Sequence, residues 1–225
     1  LPTMKVLADE RILKDVMDDF LVASNAADLV EAGHLELRNL GEGVDNSLLV
    51  SADRAMALVS AGERVAALTT EDTEFVETAF ETYDSRFEES ETFNLRTPAI
   101  SRVRTTLETE IGDQTAGDFD SVLASLETAR GDGDGLDEVT ISLLVAAKND
   151  VLLYDISKWG EDVGIASKAT FSRTKTRLEE LGLIDTEKVP IDVGRPRLRL
   201  KLGDDRLASA QPDELASVAQ SMLAS

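Results

Sequence analysis

The sequence predicts an α+β protein: a small N-terminal sheet with flanking helices, linked to a C-terminal helical unit that carries a β-hairpin and ends in a further helix. Three observations carry this reading. Short apolar runs broken by Gly- and Asp-containing turns occupy residues 34–68, as strands do. Apolar residues at helical spacing fill most of the remainder. The run Arg130-Gly131-Asp132-Gly133-Asp134-Gly135 then separates two parts of different charge. The expected domains are 1–130, 137–202 and a terminal helix at 210–225. The 225 residues suffice for one large domain or two small ones.

From the N-terminus, Val6, Ile12, Leu13, Val16 and Phe20 fall at helical spacing, which predicts a helix over Val6–Val22. A second short helix is expected over Ala26–Ala32. His34–Leu40, Ser47–Val50, Ala55–Ser60 and Arg64–Leu68 read as strands, with Gly62-Glu63 as a hairpin turn. Helical spacing returns at Glu71–Glu89, through Phe75, Val76, Phe80, Tyr83 and Phe87. Two more helices are expected over Thr97–Ile111, with Pro98 in a first turn, and over Phe119–Ala129. The acid pairs Asp18-Asp19, Glu71-Asp72 and Glu88-Glu89 read as solvated surface.

Composition excludes much chemistry. The chain has no cysteine, so disulfides, zinc fingers and cysteine nucleophiles are out. The single histidine, His34, reads as a helix-end residue after Gly33. No catalytic residue, metal site or cofactor is expected, and Glu138 comes too early to close an EF-hand loop on the Gly/Asp run. No apolar run is long enough to span a bilayer, and the N-terminus lacks the pattern of a secretory signal. Leu1 is not an initiator, so trimming at this end is expected. The reading is of a cytoplasmic protein with no membrane partner.

The net charge is −21. Such self-repulsion opposes compaction, but at molar salt the Debye length falls to about 3 Å and screens it. The acidity, with little Lys and few aromatics, reads as adaptation to the solvent of a salt-accumulating halophile. It is unevenly spread. Residues 1–136 carry 11 basic and 29 acidic residues, whereas 137–225 carry 12 and 15. Residues 165–178 hold four cations and no acid, and 188–201 hold five cations and only Asp192.

Those two basic islands sit on a recognisable series of elements. Asp137-Glu138 opens a helix whose core face is Val139, Leu143, Leu144 and Ala147. After Val151–Tyr154, Asp155 is an expected N-cap for a helix that buries Ile156, Trp159 and Val163 and stops at Gly164. Ser167 caps a third helix that ends at Leu181-Gly182. There Phe171, Thr174, Leu178 and Leu181 are expected on an apolar face, and Lys168, Ala169, Ser172, Arg173 and Lys175 on or near the opposite one. Leu183–Val189 and Arg197–Leu202 then form a hairpin with Arg195 near its tip. The second strand alternates cation and leucine, so period two puts the leucines inward. Helix, helix, helix and hairpin make a winged helix-turn-helix. Small residues admit the third helix to a major groove, hydroxyls bond phosphates and Arg reads guanine. The candidate DNA-binding residues are Ser167, Lys168, Ala169, Thr170, Ser172, Arg173, Lys175, Arg177, Arg195 and Arg197. Gln211–Leu223, with Leu215, Val218, Met222 and Leu223 on one side, is a closing helix that must pack on its own chain or on a second subunit.

The stretch from Ile156 to Gly203 resembles the winged helix-turn-helix of archaeal and bacterial regulators, most specifically in Ser167-Lys168-Ala169-Thr170-Phe171-Ser172-Arg173 and Leu178-Glu179-Glu180-Leu181-Gly182-Leu183-Ile184. Over nearly its full length the chain resembles the haloarchaeal TbsP family, akin to the sugar-responsive TrmB-type regulators, which place their DNA-binding domain first. The resemblance implies transcriptional regulation of central carbon metabolism. The segment 47–90 resembles effector or dimerisation modules, in which Arg54, Thr69, Thr70 and Arg86 are candidate contacts for a sugar or phosphate. The function expected is sequence-specific transcriptional regulation, not enzymatic. The partners expected are double-stranded DNA, a second copy in a homodimer and a small-molecule effector. The alternative is an adaptor that uses its winged helix for protein contacts alone.

Overall fold

The computed structural model describes residues 3–41, 47–62, 64–131, 135–190 and 196–224. They form two compact units, one of residues 1–16 and 32–94, the other of 17–31 and 95–225. Both combine helices with small sheets, which makes the chain α+β.

In the first unit, β1 (Met4–Ala8) pairs in parallel with β2 (Leu35–Asn39), from Met4↔Leu35 to Ala8↔Asn39. Val6 is therefore in a strand, not a helix as its spacing suggests. Its backbone partner lies about thirty residues on, and that long-range pairing overrides the local period. Asp9 follows and accepts from the Arg11 N–H at 2.7 Å, starting the short α1 (Glu10–Val16). A second sheet is an antiparallel meander of β3 (Ser47–Val50), β4 (Ala55–Ala61) and β5 (Arg64–Thr70). All four expected strands are present. Gly62 sits at the β4–β5 turn with φ +62, as a tight hairpin requires; Glu63 lies outside the described residues. Asp72 caps α3 (Thr73–Glu89) by accepting from the Phe75 N–H at 2.9 Å. The α3 residue Phe87 is buried, with Lys5 and Arg38 each 5.0 Å from its ring centre. The two-residue β6 (Glu91–Thr92) closes the first sheet against β2.

The second unit begins with α2 (Phe20–Glu31), longer than the helix expected at Ala26–Ala32. Asp19 opens it and is buried, although its place in an acid pair suggests solvent. Its carboxylate accepts from the N–H groups of Leu21 at 2.9 Å, Val22 at 3.4 Å and Ala129 at 3.3 Å, and lies 3.8 Å from Arg130. One carboxylate thus caps a helix and fixes a segment 110 residues away. Then come α4 (Ile100–Glu110) and α5 (Asp113–Ser125), the first with Ala99 at its N-cap and Pro98 just outside. The Asp28 carboxylate accepts from the Ser101 hydroxyl at 2.6 Å, tying α2 to α4.

Three helices follow: α6 (Glu138–Lys148), α7 (Leu153–Val163) and α8 (Lys168–Glu180). Phe20, Val103, Leu107, Phe119 and Val122 share one continuous core with Leu143, Trp159, Phe171 and Leu200. The Gly/Asp run, of which 132–134 lie outside the described residues, therefore joins elements of a single core. The boundary between units falls at residues 94 and 95 instead. α6 is buried on nearly every side, so burial raises the pKa of the partly covered Glu138 carboxyl at its first turn. The Trp159 indole N–H donates to the Thr106 hydroxyl at 3.0 Å, joining α7 to α4. The hairpin is β7 (Ile184–Val189) with β8 (Arg197–Leu202). Last come α9 (Asp205–Ser209) and α10 (Leu215–Leu223). α10 buries Leu215, Ala216 and Ala219 in its own chain's core rather than presenting them to a second subunit.

Two of these contacts can be tested through stability. A methyl group on Gly160 would stand 2.3 Å from two Phe171 ring carbons. Gly160→Ala should therefore cost about 1–3 kcal/mol by overpacking, read as a lower denaturant midpoint, and adding Phe171→Leu should recover part of that loss. Asp19→Ala should cost about 1–3 kcal/mol, because it removes a cap and leaves buried N–H groups without their acceptor; an unchanged midpoint would show the carboxylate to be dispensable.

Candidate nucleic-acid interface

Three short segments of sequence set the geometry of α7 and α8. Gly164 ends α7 in the left-handed conformation, φ +95, and its N–H donates to the Gly160 carbonyl. The N–H groups of Ile165 and Ala166 also reach that carbonyl, at 2.8 and 3.3 Å. Ser167 then caps α8, its hydroxyl accepting from the Thr170 N–H at 3.2 Å. The turn is short because Gly164 reverses the chain at once. The two helices approach closely because Gly160 has no side chain where the Phe171 ring lies.

On α8 the buried residues are Phe171, Lys175 and Leu178. Lys175 thus leaves the DNA-facing set of the sequence reading. Its position four after Phe171 and three before Leu178 is on the core stripe. Its stem is covered there and its ammonium meets the Glu179 carboxylate at 2.6 Å. The other oxygen of Glu179 accepts from the Thr186 hydroxyl at 2.8 Å. This chain of contacts fastens α8 to the first strand of the hairpin. Leu181, expected inward, is 44 % exposed at the C-cap, and Thr174 is half-buried on the flank.

Ser167, Lys168, Ala169, Ser172, Arg173, Thr176 and Arg177 are exposed, and Thr170 is half-exposed. The expected polar face therefore exists, less Lys175. Lys168 is held by Glu161 of α7, ammonium to carboxylate at 2.7 Å and backbone N–H to carboxylate at 3.2 Å. That pairing raises the Lys168 pKa and lowers that of Glu161. Arg173 makes one long contact, 3.4 Å to the Thr170 hydroxyl. Among the described residues neither Arg173 nor Arg177 has a carboxylate partner.

The hairpin is more engaged than simple alternation implies. Arg197 packs over the Tyr154 ring, 4.6 Å from its centre, and lies 3.5 Å from Asp155. Asp155 is therefore the third residue of α7 and an ion-pair partner, not its cap; Leu152 occupies the N-cap position. Lys201 pairs with Asp150 at 2.6 Å. Arg199 bridges backbone to backbone with Leu152, and the Leu200 N–H reaches the Val151 carbonyl at 2.9 Å, so the segment before α7 lies alongside β8. Leu200 is fully buried, but Leu198 and Leu202 are only half-covered. The tip, including Arg195, lies outside the described residues.

The four residues expected to hold a sugar or phosphate do not form one site. Arg54 pairs with Glu71 at 2.5 Å, and Thr70, opposite Ala55 in the sheet, is at the same end. Thr69 is exposed opposite Met56. Arg86 sits over the Tyr83 ring in the last turn of α3, about 20 Å along the helix axis from Thr73, where that end of the sheet leads in. A cavity of about 390 Å³ in the first unit is lined mainly by apolar groups, among them Leu7, Leu48, Val50, Phe80 and Phe87, together with Lys5 and Asp84. Lys5 is held between Asp84 at 2.8 Å and Glu88 at 2.7 Å, which raises its pKa. Among the described residues no cluster of acids or histidine is arranged to hold a metal ion. No helix of the described residues is long and apolar enough to cross a membrane.

The model of the TbsP-like C-terminal helix-turn-helix domain matches residues 99–220, and that of the TbsP-like N-terminal domain matches residues 1–98. No curated protein and no solved structure matches the chain. The first of these models alone spans more than half of the residues, and its limits enclose the α6–β8 series just described; the chain belongs to the TbsP-like transcriptional regulators and is a DNA-binding regulator of the helix-turn-helix class.

Proposed function

We propose that this regulator reads specific DNA sequences by laying the exposed face of α8 in the major groove while the hairpin follows the phosphate backbone. The observation that carries the proposal is the pair Arg173 and Arg177, exposed and without a carboxylate among the described residues, in a chain of net charge −21. Ser167, Lys168, Ala169, Thr170 and Ser172 form the amino-terminal approach, where base contacts concentrate in this motif. Arg173 is assigned to a guanine edge and Arg177 to a phosphate. Lys168 exchanges Glu161 for a phosphate on docking. Arg197, steadied by Tyr154, contacts the backbone, and the same role is assigned to Arg195. Lys175 has no part in the contact.

The setting proposed is the cytoplasm of a halophilic archaeon, with genes of central carbon and sugar metabolism as targets, following the likeness to TrmB-type regulators. Counterion release drives little binding at molar salt, so shape and hydrogen bonding carry more of the affinity there. The regulator acts as a homodimer, because two-fold proteins read paired half-sites. A small effector is assigned to the first unit, whose cavity falls in the volume range of ligand pockets. An adaptor without DNA binding would leave no purpose for the unpaired cations of α8.

Fragments of genomic DNA retained by the full chain supply the test duplex. Arg173→Ala should weaken binding to it by about 1–3 kcal/mol while scarcely changing binding to random DNA; equal loss on both would remove the base-reading role. Arg177→Ala should weaken both alike and lower the slope of log affinity against log salt by about one. Lys175→Met should leave that slope unchanged. Failure to retain any fragment would favour the adaptor reading.

A further inference from the structure

The first unit holds an incomplete sheet. β5 pairs with β4 along its whole length, and among the described residues its other edge has no partner strand. The strand is exposed from Arg64 to Thr69, on both faces. Val65 on one face and Leu68 on the other are each 67 % exposed, and Val59 beside them on β4 is 47 % exposed. Edge strands are ordinarily blunted by lysine, proline, a bulge or a covering element, because open N–H and C=O groups recruit another strand. β5 contains no lysine or proline, pairs without a bulge, and is seven residues long.

Charge identifies the occupant. β3, β4 and β5 together contain a single charged residue, Arg64, in a chain with 44 acids. Two copies of so anionic a molecule repel each other wherever acids face acids, and these three strands contain no acid. A strand on a two-fold axis is also its own complement when antiparallel. Pairing over the full strand centres on Ala67. It sets Arg64 against Thr70 of the partner subunit. The two arginines lie at opposite ends and never meet.

We infer that β5 pairs antiparallel with β5 of a second copy about Ala67, joining the two β3–β4–β5 meanders into one continuous six-stranded sheet. This rests on the homodimer proposed above and adds the surface. Apolar contact between Leu68 and Ala66 of the partner subunit on one face, and between Val65 and Thr69 of the partner subunit on the other, accompanies the ladder.

The absence of native cysteine allows a direct test on the full chain. At a two-fold axis the paired Cα atoms stand about 4.5–5.5 Å apart, within the roughly 4.4–6.8 Å that a disulfide spans. Ala67→Cys should therefore form a covalent dimer under mild oxidation. Arg64→Cys should not, since the two copies of residue 64 are six pairs out of register, about 20 Å apart. In light scattering at molar KCl the unaltered chain should have twice the monomer mass, and Val65→Asp with Leu68→Asp should halve it. Those two positions are solvent-exposed, so the circular dichroism spectrum and melting curve should stay as they were. Val30→Asp, on an exposed face of α2, should leave the dimer intact. A monomeric unaltered chain would overturn both the homodimer and this surface. A dimer that survives the aspartates and is not trapped by the Ala67→Cys substitution would overturn the surface alone.

Discussion

The placing of α8 depends on the contact between Gly160 and the Phe171 ring. A ring this large normally holds two helices apart, and the missing side chain lets it lie against the α7 backbone. Gly164 turns the chain, Ser167 restarts it, and Phe171 docks one turn later. The exposed face of α8 is thus defined by what the opposite face buries. A slip of one residue in that packing would rotate α8 by about 100° and carry Arg173 and Arg177 together away from the direction they now face.

Within the same helix, cations serve two ends. Lys175 is used internally: its stem fills the core stripe and its ammonium holds Glu179, which in turn holds Thr186. Arg173 and Arg177 remain outward and without carboxylates among the described residues. Such division matters in a strongly acidic protein, where many exposed cations are taken up by neighbouring acids. Lys5, Lys158, Lys168 and Lys201 all are. Lys168, whose acid partner lies on the adjacent helix, is still exposed and can change partners at little cost, because a solvated pair contributes little.

Much of this is legible in the sequence. The three helices, their Gly164 and Ser167 boundaries, the hairpin and the four strands between residues 34 and 70 follow from period and turn chemistry. The departures have physical causes. Val6 reads as helical because five residues cannot distinguish the two periods when the deciding partner is a distant strand. Asp155 looks like a cap, but Arg197 competes for it and the helix starts earlier. Lys175 reads as outward on its charge, though its spacing from Phe171 and Leu178 already indicates the core. Asp19 looks like one of many surface acids, because nothing local reveals that Ala129 and Arg130 return to it. The dispersal of Arg54, Thr69, Thr70 and Arg86 has a similar reason: donors are chosen by type, and type does not tell which of them the fold brings together.

The path of the chain has a further consequence. α2 precedes most of the first unit in sequence yet belongs to the second, so the polypeptide passes between the units after Val16, after Glu31 and after Asn94. A cut at the limit of the two family models, near residue 98, would deprive the helix-turn-helix unit of Phe20, Ala23 and the Asp19 cap. The excised piece would present an open slot where α2 had been. A fragment that keeps this core whole must therefore retain residues 17–31 together with those from 95 onward.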